Sequence, residues 1–125
     1  MKKVTLIEDD ATMVSLLRIL LGMEGYEVVE LENWKSLRDT LAELRQQKPA
    51  LILLDVNLKG WSGFELLQEI RSDETLRATR VIMASGMDVR ERSEHFGANG
   101  FIQKPYMPEE LITQIRETLE TLGAE

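Results

Sequence analysis

Short, mostly apolar runs recur along the chain, and polar residues directly follow each of them. The runs lie at 4–7, 50–54, 81–84 and 101–102. The run at 50–54 has five apolar residues in succession and leads into Asp55 and a predicted turn over 56–60. An unbroken apolar run closed by turn residues is typical of a strand buried on both faces of a parallel sheet. The pattern therefore predicts a buried strand that carries Asp55 at its carboxyl end.

The stretches between the runs place apolar residues three and four positions apart, which is the spacing of amphipathic helices. The first helix is predicted over 11–23 with Asp10 as its N-cap, and its apolar positions are Met13, Leu16, Leu17, Leu20 and Leu21. The second carries Trp34, Leu37, Leu41 and Leu44, the third (64–72) carries Phe64, Leu67 and Ile70, and the last carries Leu111, Ile112, Ile115, Leu119 and Leu122.

The fourth helix is predicted over 88–96 and is the weakest of the set. Asp88 and Glu91 have the spacing of a capping box at its start. Its apolar face consists of Val89 and Phe96 alone. Because so few apolar contacts are available to it, we expect this helix to be the most mobile one.

A further strand over 26–31 contains Glu27 and Glu30 among its apolar residues, which suits the edge of a sheet better than its centre. Five strands then alternate with five helices, a pattern typical of an α/β fold with a doubly wound parallel sheet. Right-handed crossovers, with the edge-like second strand outside the first, predict the flavodoxin-like strand order 2-1-3-4-5.

Composition narrows the class of protein. The chain has 125 residues, of which 43% are hydrophobic and 30% charged, so we expect one soluble domain spanning 1–125. The net charge of −7 argues against direct binding to nucleic acid or to an anionic membrane. The sequence has no run of 18 apolar residues, no signal-peptide core and no cysteine, so we expect a cytoplasmic protein without disulfides.

Polar residues stand at the ends of the predicted strands, where open α/β sheets bind their ligands. Glu8 and Asp9 follow the first strand, and Asp55, Ser85 and Lys104 end or follow three others. Carboxylates about 5 Å apart repel by roughly 3 kcal/mol per pair at an effective dielectric near 20. The three acids therefore require a cation, and a site with only oxygen ligands favours Mg²⁺. An acid, a divalent cation, an ammonium group and a hydroxyl together are suited to phosphoryl transfer.

In this order and spacing, Glu8-Asp9, Asp55, Ser85-Gly86 and Lys104-Pro105 resemble the receiver domain of bacterial two-component response regulators, over essentially the whole chain. The resemblance implies that Asp55 is the phosphoacceptor and that Lys104 and Ser85 contact the phosphoryl group. It also implies Mg²⁺ ligands from Glu8, Asp9, Asp55 and the backbone carbonyl of Asn57. Phe101 matches the switch aromatic that packs inward on activation, with Ser85 as its partner in the switch, and the Lys104–Pro105 bond is expected to be cis.

The family resemblance also implies a function and its partners. A sensor histidine kinase or a phosphotransfer protein donates the phosphoryl group to Asp55. The face formed by the fourth helix, the last strand and the last helix then changes and controls an effector domain or protein, and a homodimer through that face is a further expected association. We expect the domain not to be an enzyme beyond catalysing its own phosphorylation and dephosphorylation. Met87 stands where relatives often have a polar or charged residue. We therefore expect slower autodephosphorylation than with a polar group at this position.

Two other functions compete with this interpretation. A phosphatase of the haloacid dehalogenase kind also forms an aspartyl phosphate, but the second acid of its Asp-x-Asp motif is Asn57 here, and we find no cap domain. A flavin-binding flavodoxin needs a phosphate loop after the first strand, where Glu8, Asp9 and Asp10 would repel phosphate. Among the remaining candidates, His95 is expected to be an ordinary surface residue and Trp34 a core residue, while Trp61 either packs on the domain or contacts a partner.

Overall fold

A five-stranded parallel sheet forms the centre of the protein. The computed structural model describes residues 2–31, 36–58 and 60–124, the last four by their backbone alone. The strands of this sheet are β1 (Lys3–Ile7), β2 (Glu27–Glu30), β3 (Leu51–Asp55), β6 (Arg80–Ser85) and β7 (Gly100–Gln103), and a small hairpin contributes β4 (Asn57–Leu58) and β5 (Trp61–Ser62). The helices are α1 (Ala11–Met23), α2 (Leu37–Gln47), α3 (Gly63–Ser72), α4 (Arg90–His95) and α5 (Pro108–Ala124).

The strand order is β2-β1-β3-β6-β7, and every neighbouring pair is parallel. Counted within this sheet alone, that is the predicted order 2-1-3-4-5, and the prediction is confirmed. The middle strand β3 is buried along its whole length, as its unbroken apolar run indicates. In β2, by contrast, Glu27 and Glu30 are exposed while Val28 and Val29 are half-buried, which fits a strand at the edge of the sheet.

Two apolar layers cover the two faces of the sheet. Alternate residues of β3 point to opposite faces, so Ile52 and Leu54 pack with α2 and α3 while Leu51 and Leu53 pack with α1 and α5. Burial of an aliphatic side chain of this size stabilises a fold by about 1.5–3 kcal/mol. The sheet therefore holds its carboxyl edge in place through contacts on both faces.

The buried stripe of α1 differs from the predicted one. Val14, Leu17 and Leu21 are buried, whereas Leu16 is 39% exposed. Adjacent helical positions are separated by about 100°, so a stripe centred on Leu17 and Leu21 turns Leu16 away from the sheet. The predicted cap is confirmed, because the Asp10 carboxylate accepts hydrogen bonds from the backbone N–H groups of Thr12 and Met13.

Helix α4 is shorter than predicted, and its capping box is wrong. The helix begins at Arg90, its N-cap position is Val89, and no side chain caps it. Asp88 accepts a hydrogen bond from the Arg90 N–H, and this local turn leaves Glu91 inside the first turn of the helix. The greater mobility expected of α4 stays a prediction. Trp34 and the side chain of Leu122, both expected on apolar faces, lie outside the described residues.

The segment after β3 forms a hairpin instead of a simple turn. Strands β4 and β5 pair antiparallel, and Gly60 takes the positive φ of 86° that the tip of the hairpin requires. Ser62 then begins α3 with a complete capping box, in which its hydroxyl and the Glu65 carboxylate each accept a backbone N–H. The hairpin and cap together fix where α3 starts relative to Asp55.

Gly63, the first residue of α3, lies against the backbone of Asp55. Its N–H donates to the Val56 carbonyl at 2.7 Å. A Cβ added at Gly63 would lie 2.3 Å from the carbonyl oxygen of Asp55 and 3.1 Å from the Cα of Val56. Both obstacles are backbone atoms, which cannot move without displacing the end of β3. The close approach therefore requires glycine.

We predict that Gly63→Ala destabilises the fold by about 1–3 kcal/mol, because the methyl group overlaps the Asp55 backbone. Gly22→Ala is the matched control, since nothing lies within 4 Å of a Cβ there. In that helical position alanine is expected to stabilise by about 0.5–1 kcal/mol. Urea unfolding of the two variants measures both changes, and equal effects of the same sign would contradict this account of Gly63.

Candidate functional site

The carboxyl ends of the parallel strands bring together three acids. Glu8 follows β1, Asp9 is the next residue, and Asp55 is the last residue of β3. One carboxylate oxygen from each lies within 4.8 Å of the other two. Glu8 and Asp55 are buried, at 7% and 5% exposure, and Asp9 is exposed. The sheet thus gathers the predicted acidic cluster, with one of its members open to solvent.

Lys104 enters this cluster from the loop after β7. Its ammonium nitrogen lies 2.6 Å from Glu8 Oε1 and 3.1 Å from Asp55 Oδ2. The sequence predicts that the carboxylate repulsion requires a cation, and Lys104 supplies one positive charge. Three ionised carboxylates facing one ammonium still leave two negative charges uncompensated, which is the charge of one divalent cation.

Burial and hydrogen bonding shift the pKa values of Glu8 and Lys104 in opposite directions. Burial raises the pKa of Glu8, and the hydrogen bond from Lys104 offsets only part of that rise. Burial by itself would lower the pKa of Lys104, but its hydrogen bonds to Glu8 and Asp55 outweigh this and raise the pKa. Lys104 therefore stays charged across the neutral range.

Backbone hydrogen bonds hold the loops of the site in register. The Lys104 N–H donates to the Ser85 carbonyl at 2.8 Å, and the Val56 N–H donates to the Ala84 carbonyl at 2.9 Å. The Lys104–Pro105 peptide bond is cis. The two hydrogen bonds link the ends of β3, β6 and β7, and they set the position from which Lys104 reaches Asp55.

Ser85 lies at the end of β6 and is 1% exposed. Its hydroxyl oxygen accepts a hydrogen bond from the Met87 N–H at 3.1 Å, so it shapes the loop that follows. The Met87 side chain itself is 67% exposed. Asn57 is also exposed and begins the hairpin, where its N–H donates to Asp55 Oδ1 at 3.4 Å. Asn57 therefore contacts Asp55 directly, while the position of Met87 beside Asp55, which the resemblance implies, stays a prediction.

Phe101 packs inward in this structure, with 2% of its surface exposed, which is the position that the resemblance associates with activation. It pairs with Met83 across the sheet. The guanidinium carbon of Arg90, at the start of α4, lies 5.5 Å from the centre of its ring, within the range of a cation–π contact. The aromatic side chain is therefore enclosed between the sheet and α4.

The two other aromatic candidates have ordinary environments. His95 is exposed at the end of α4, with its ring edge-on to Phe96, which confirms the expectation of a surface histidine. Trp61 is half-buried and packs against the core next to the hairpin. Its packing fits the first of the two roles considered for it.

Tyr106 is the site residue that sequence reasoning missed. It is 8% exposed, and among the described residues its hydroxyl is the one buried side-chain polar atom without a hydrogen-bond partner. It lines a cavity of about 420 Å³ whose walls also include Glu8, Asp10, Met13, Gly86, Lys104 and Pro105. Its position two residues after Lys104 is the sequence feature that could have identified it. An aromatic residue at such a position is, however, also typical of an ordinary core residue.

Within the part of the chain that the structure describes, no helix is long and apolar enough to cross a membrane. This finding agrees with the absence of a long apolar run in the sequence.

Comparisons with known proteins agree on one family. Residues 4–116 match the family model described as the response regulator receiver domain. Among curated proteins, the chain is 31% identical over 125 residues to the phosphate regulon transcriptional regulatory protein PhoB of Pseudomonas aeruginosa, covering 98% of this chain and 53% of that protein. The chain thus spans about half the length of the curated relatives it matches.

Solved structures give the same result. A CheY-like response regulator receiver domain protein of Methanospirillum hungatei is 29% identical, with a TM-score of 0.82 and coverage of 97% of this chain and 95% of that one. The chemotaxis protein CheY4 of Vibrio cholerae is 26% identical, with a TM-score of 0.81 and coverage of 94% and 98%. These matches favour the receiver interpretation over the phosphatase and flavodoxin alternatives. The chain belongs to the family of response regulator receiver domains, the signalling modules of two-component systems.

Proposed function

We propose that residues 1–125 form a phosphoacceptor switch in which Asp55 receives a phosphoryl group from a histidine of a sensor kinase or of a phosphotransfer protein. The observation that carries this proposal is the placement of Asp55. A fully buried strand holds this carboxylate at the sheet edge, where Lys104 lies 3.1 Å away and two further acids are within 4.8 Å.

In the proposed reaction, an oxygen of Asp55 attacks the phosphorus atom in line with the leaving nitrogen of the donor histidine. The new O–P bond yields an acyl phosphate, and the P–N bond breaks with its electron pair on the imidazole. Lys104 provides a positive charge for the phosphoryl oxygens, and the Ser85 hydroxyl provides a hydrogen-bond donor for them. Both groups come from this chain, so the partner need supply only the donor.

The donor set fits Mg²⁺. Glu8, Asp9 and Asp55, with the backbone carbonyl of Asn57, would hold the ion, and all of these ligands are oxygen atoms. The ion would supply positive charge against the transferring phosphoryl group. The two uncompensated charges of the acidic cluster favour a divalent cation over a monovalent one.

The proposed output follows from the connection between Lys104 and β7. Movement of Lys104 toward a phosphoryl group would pull on the loop after β7, the strand that also carries Phe101. Ser85 and Phe101 would then shift and alter the face formed by α4, β7 and α5. That face would control a downstream effector domain or protein, or a homodimer. The relative PhoB is named as a transcriptional regulatory protein, and control of transcription is one output of this kind.

We predict that Mg²⁺ stabilises the fold by compensating the remaining carboxylate charge. At ten times the dissociation constant, ligand linkage contributes about 1.4 kcal/mol, or roughly 3–6 °C in melting temperature for a domain of this size. Melting curves with and without millimolar Mg²⁺ measure the shift, and K⁺ at matched ionic strength is the control. Curves that superimpose would contradict the cation site.

We predict that acetyl phosphate and Mg²⁺ add one phosphate to the protein, visible by mass and labile to hydroxylamine as an acyl phosphate. Asp55→Ala should abolish the uptake, while Asp88→Ala, a change in an exposed acid, should not. Lys104→Ala should accept phosphate more weakly and fail to transmit the change to Phe101. A phosphate on serine or on His95, or uptake unchanged in Asp55→Ala, would show that the site is wrongly assigned.

We predict that Met87 lengthens the lifetime of the phosphorylated state. Hydrolysis needs a water molecule aligned behind the phosphoryl group, and an apolar side chain on that approach gives the water no hydrogen bond. Met87→Glu should therefore accelerate the decay of Asp55 phosphate, which phosphate release measures. Met23→Glu, at another exposed methionine at the end of α1, should leave the decay unchanged. Equal or slower decay in Met87→Glu would refute this role.

A further inference from the structure

The Tyr106 hydroxyl is an unexplained polar group beside the acidic cluster. The body of the side chain packs in the apolar layer beneath α1 and α5, a task that phenylalanine would perform equally well. The hydroxyl, however, is buried and has no hydrogen-bond partner. A buried hydroxyl without a hydrogen bond destabilises the fold. Its presence is explained if the hydroxyl is paired in another state of the protein.

The cavity that Tyr106 lines also contains a carboxylate that accepts hydrogen bonds, that of Glu8. Glu8 and Lys104 line the same cavity as Tyr106. Glu8 Oε1 takes its hydrogen bond from the Lys104 ammonium, whereas Glu8 Oε2 accepts the Asp10 N–H. When Lys104 turns toward a phosphoryl group on Asp55, Oε1 loses its donor. Tyr106 then has a free donor in the cavity where Glu8 has a free acceptor.

The electrostatics of Tyr106 agree with a donor role. Burial, and after it the charge of Glu8, raise the pKa of Tyr106 to about 12. The phenol therefore stays protonated at neutral pH and can donate. Among charged groups, the carboxylate of Glu8 acts on it more strongly than Lys104, Asp55 or Asp10 do.

We propose that Tyr106 is a positioning residue that donates a hydrogen bond to Glu8 when Lys104 leaves Glu8 for the phosphoryl group. The inference rests on the proposed function, since it needs a phosphoryl group to draw Lys104 away. Tyr106 thereby holds the Glu8 carboxylate in place as a cation ligand in the phosphorylated state. In this structure Lys104 contacts Glu8 instead, and the hydroxyl has no partner among the described residues.

The first test compares binding of beryllofluoride, a phosphoryl mimic, in the presence of Mg²⁺. We expect Tyr106→Phe to bind it about three- to tenfold more weakly than the wild type, the effect of one hydrogen bond. Its melting temperature without ligand should be unchanged or higher, because the change removes an unpaired hydroxyl. The matched control is Tyr26→Phe, which removes the hydroxyl of a half-buried tyrosine in the turn between α1 and β2 and should change neither quantity.

The second test is a double-mutant cycle on melting temperature without ligand. In Lys104→Met the Glu8 carboxylate has lost its donor, so adding Tyr106→Phe should lower the melting temperature of that variant. In the wild-type background the same change should not lower it. A Tyr106→Phe effect of equal sign and size in both backgrounds, or unchanged beryllofluoride affinity, would overturn the proposal. If wild type itself neither binds beryllofluoride nor takes up phosphate, the proposed function fails as well.

Discussion

The ion pairs of Lys104 with Glu8 and Asp55 are the interaction on which the site depends. They bridge the carboxyl ends of β1 and β3 to the loop after β7, so one ammonium group connects three strands of the sheet. The acids are buried and would repel each other without it. Because the ammonium balances only part of their charge, the cluster keeps an excess negative charge suited to a divalent cation. The Lys104 ammonium thus stabilises the site without neutralising it.

The surrounding fold limits the freedom of these groups. Gly63 permits α3 to start directly against the Asp55 carbonyl, and the hairpin of β4 and β5 sets the chain that enters α3. At the other end of α3, Arg71 donates from Nε to the Gly97 carbonyl at 2.8 Å and from Nη1 to the Thr79 carbonyl at 2.7 Å. This half-buried guanidinium ties α3 to the loops that precede β6 and β7. The strands that carry Ser85 and Phe101 are therefore anchored at both ends.

Helix α4 has fewer stabilising features than the strands of the sheet. Helix α4 has six residues, no side-chain cap and one buried side chain, Ser93. Its contact with the sheet includes the cation–π pair of Arg90 and Phe101. An exposed guanidinium over an aromatic ring contributes about 0.5–1 kcal/mol, which is small beside the burial of a core residue. These few contacts agree with the mobility predicted for α4 and with its place in the face that we propose to change on phosphorylation.

The sequence by itself determined the fold class, the strand order and the positions that form the acidic cluster. These follow from local patterns: an unbroken apolar run marks a central strand, glutamates within a strand mark an edge, and polar residues at strand ends meet at one edge of a parallel sheet. Glu8, Asp9, Asp55 and Lys104 could all be placed in this way. The Asp10 cap was predictable for the same reason, because its partners lie two and three residues away.

Only the tertiary structure decided which partner each group takes. Lys104 and Asp55 are separated by 49 residues, so no local pattern shows which carboxylate oxygens the ammonium contacts. The buried hydroxyl of Tyr106 likewise depends on helices and strands from distant parts of the chain. Leu16 is exposed although its spacing fits the helix, because the angle at which α1 packs on the sheet chooses between overlapping stripes. Periodicity reports which residues can share a face, whereas packing determines which face is buried and which polar atoms find partners.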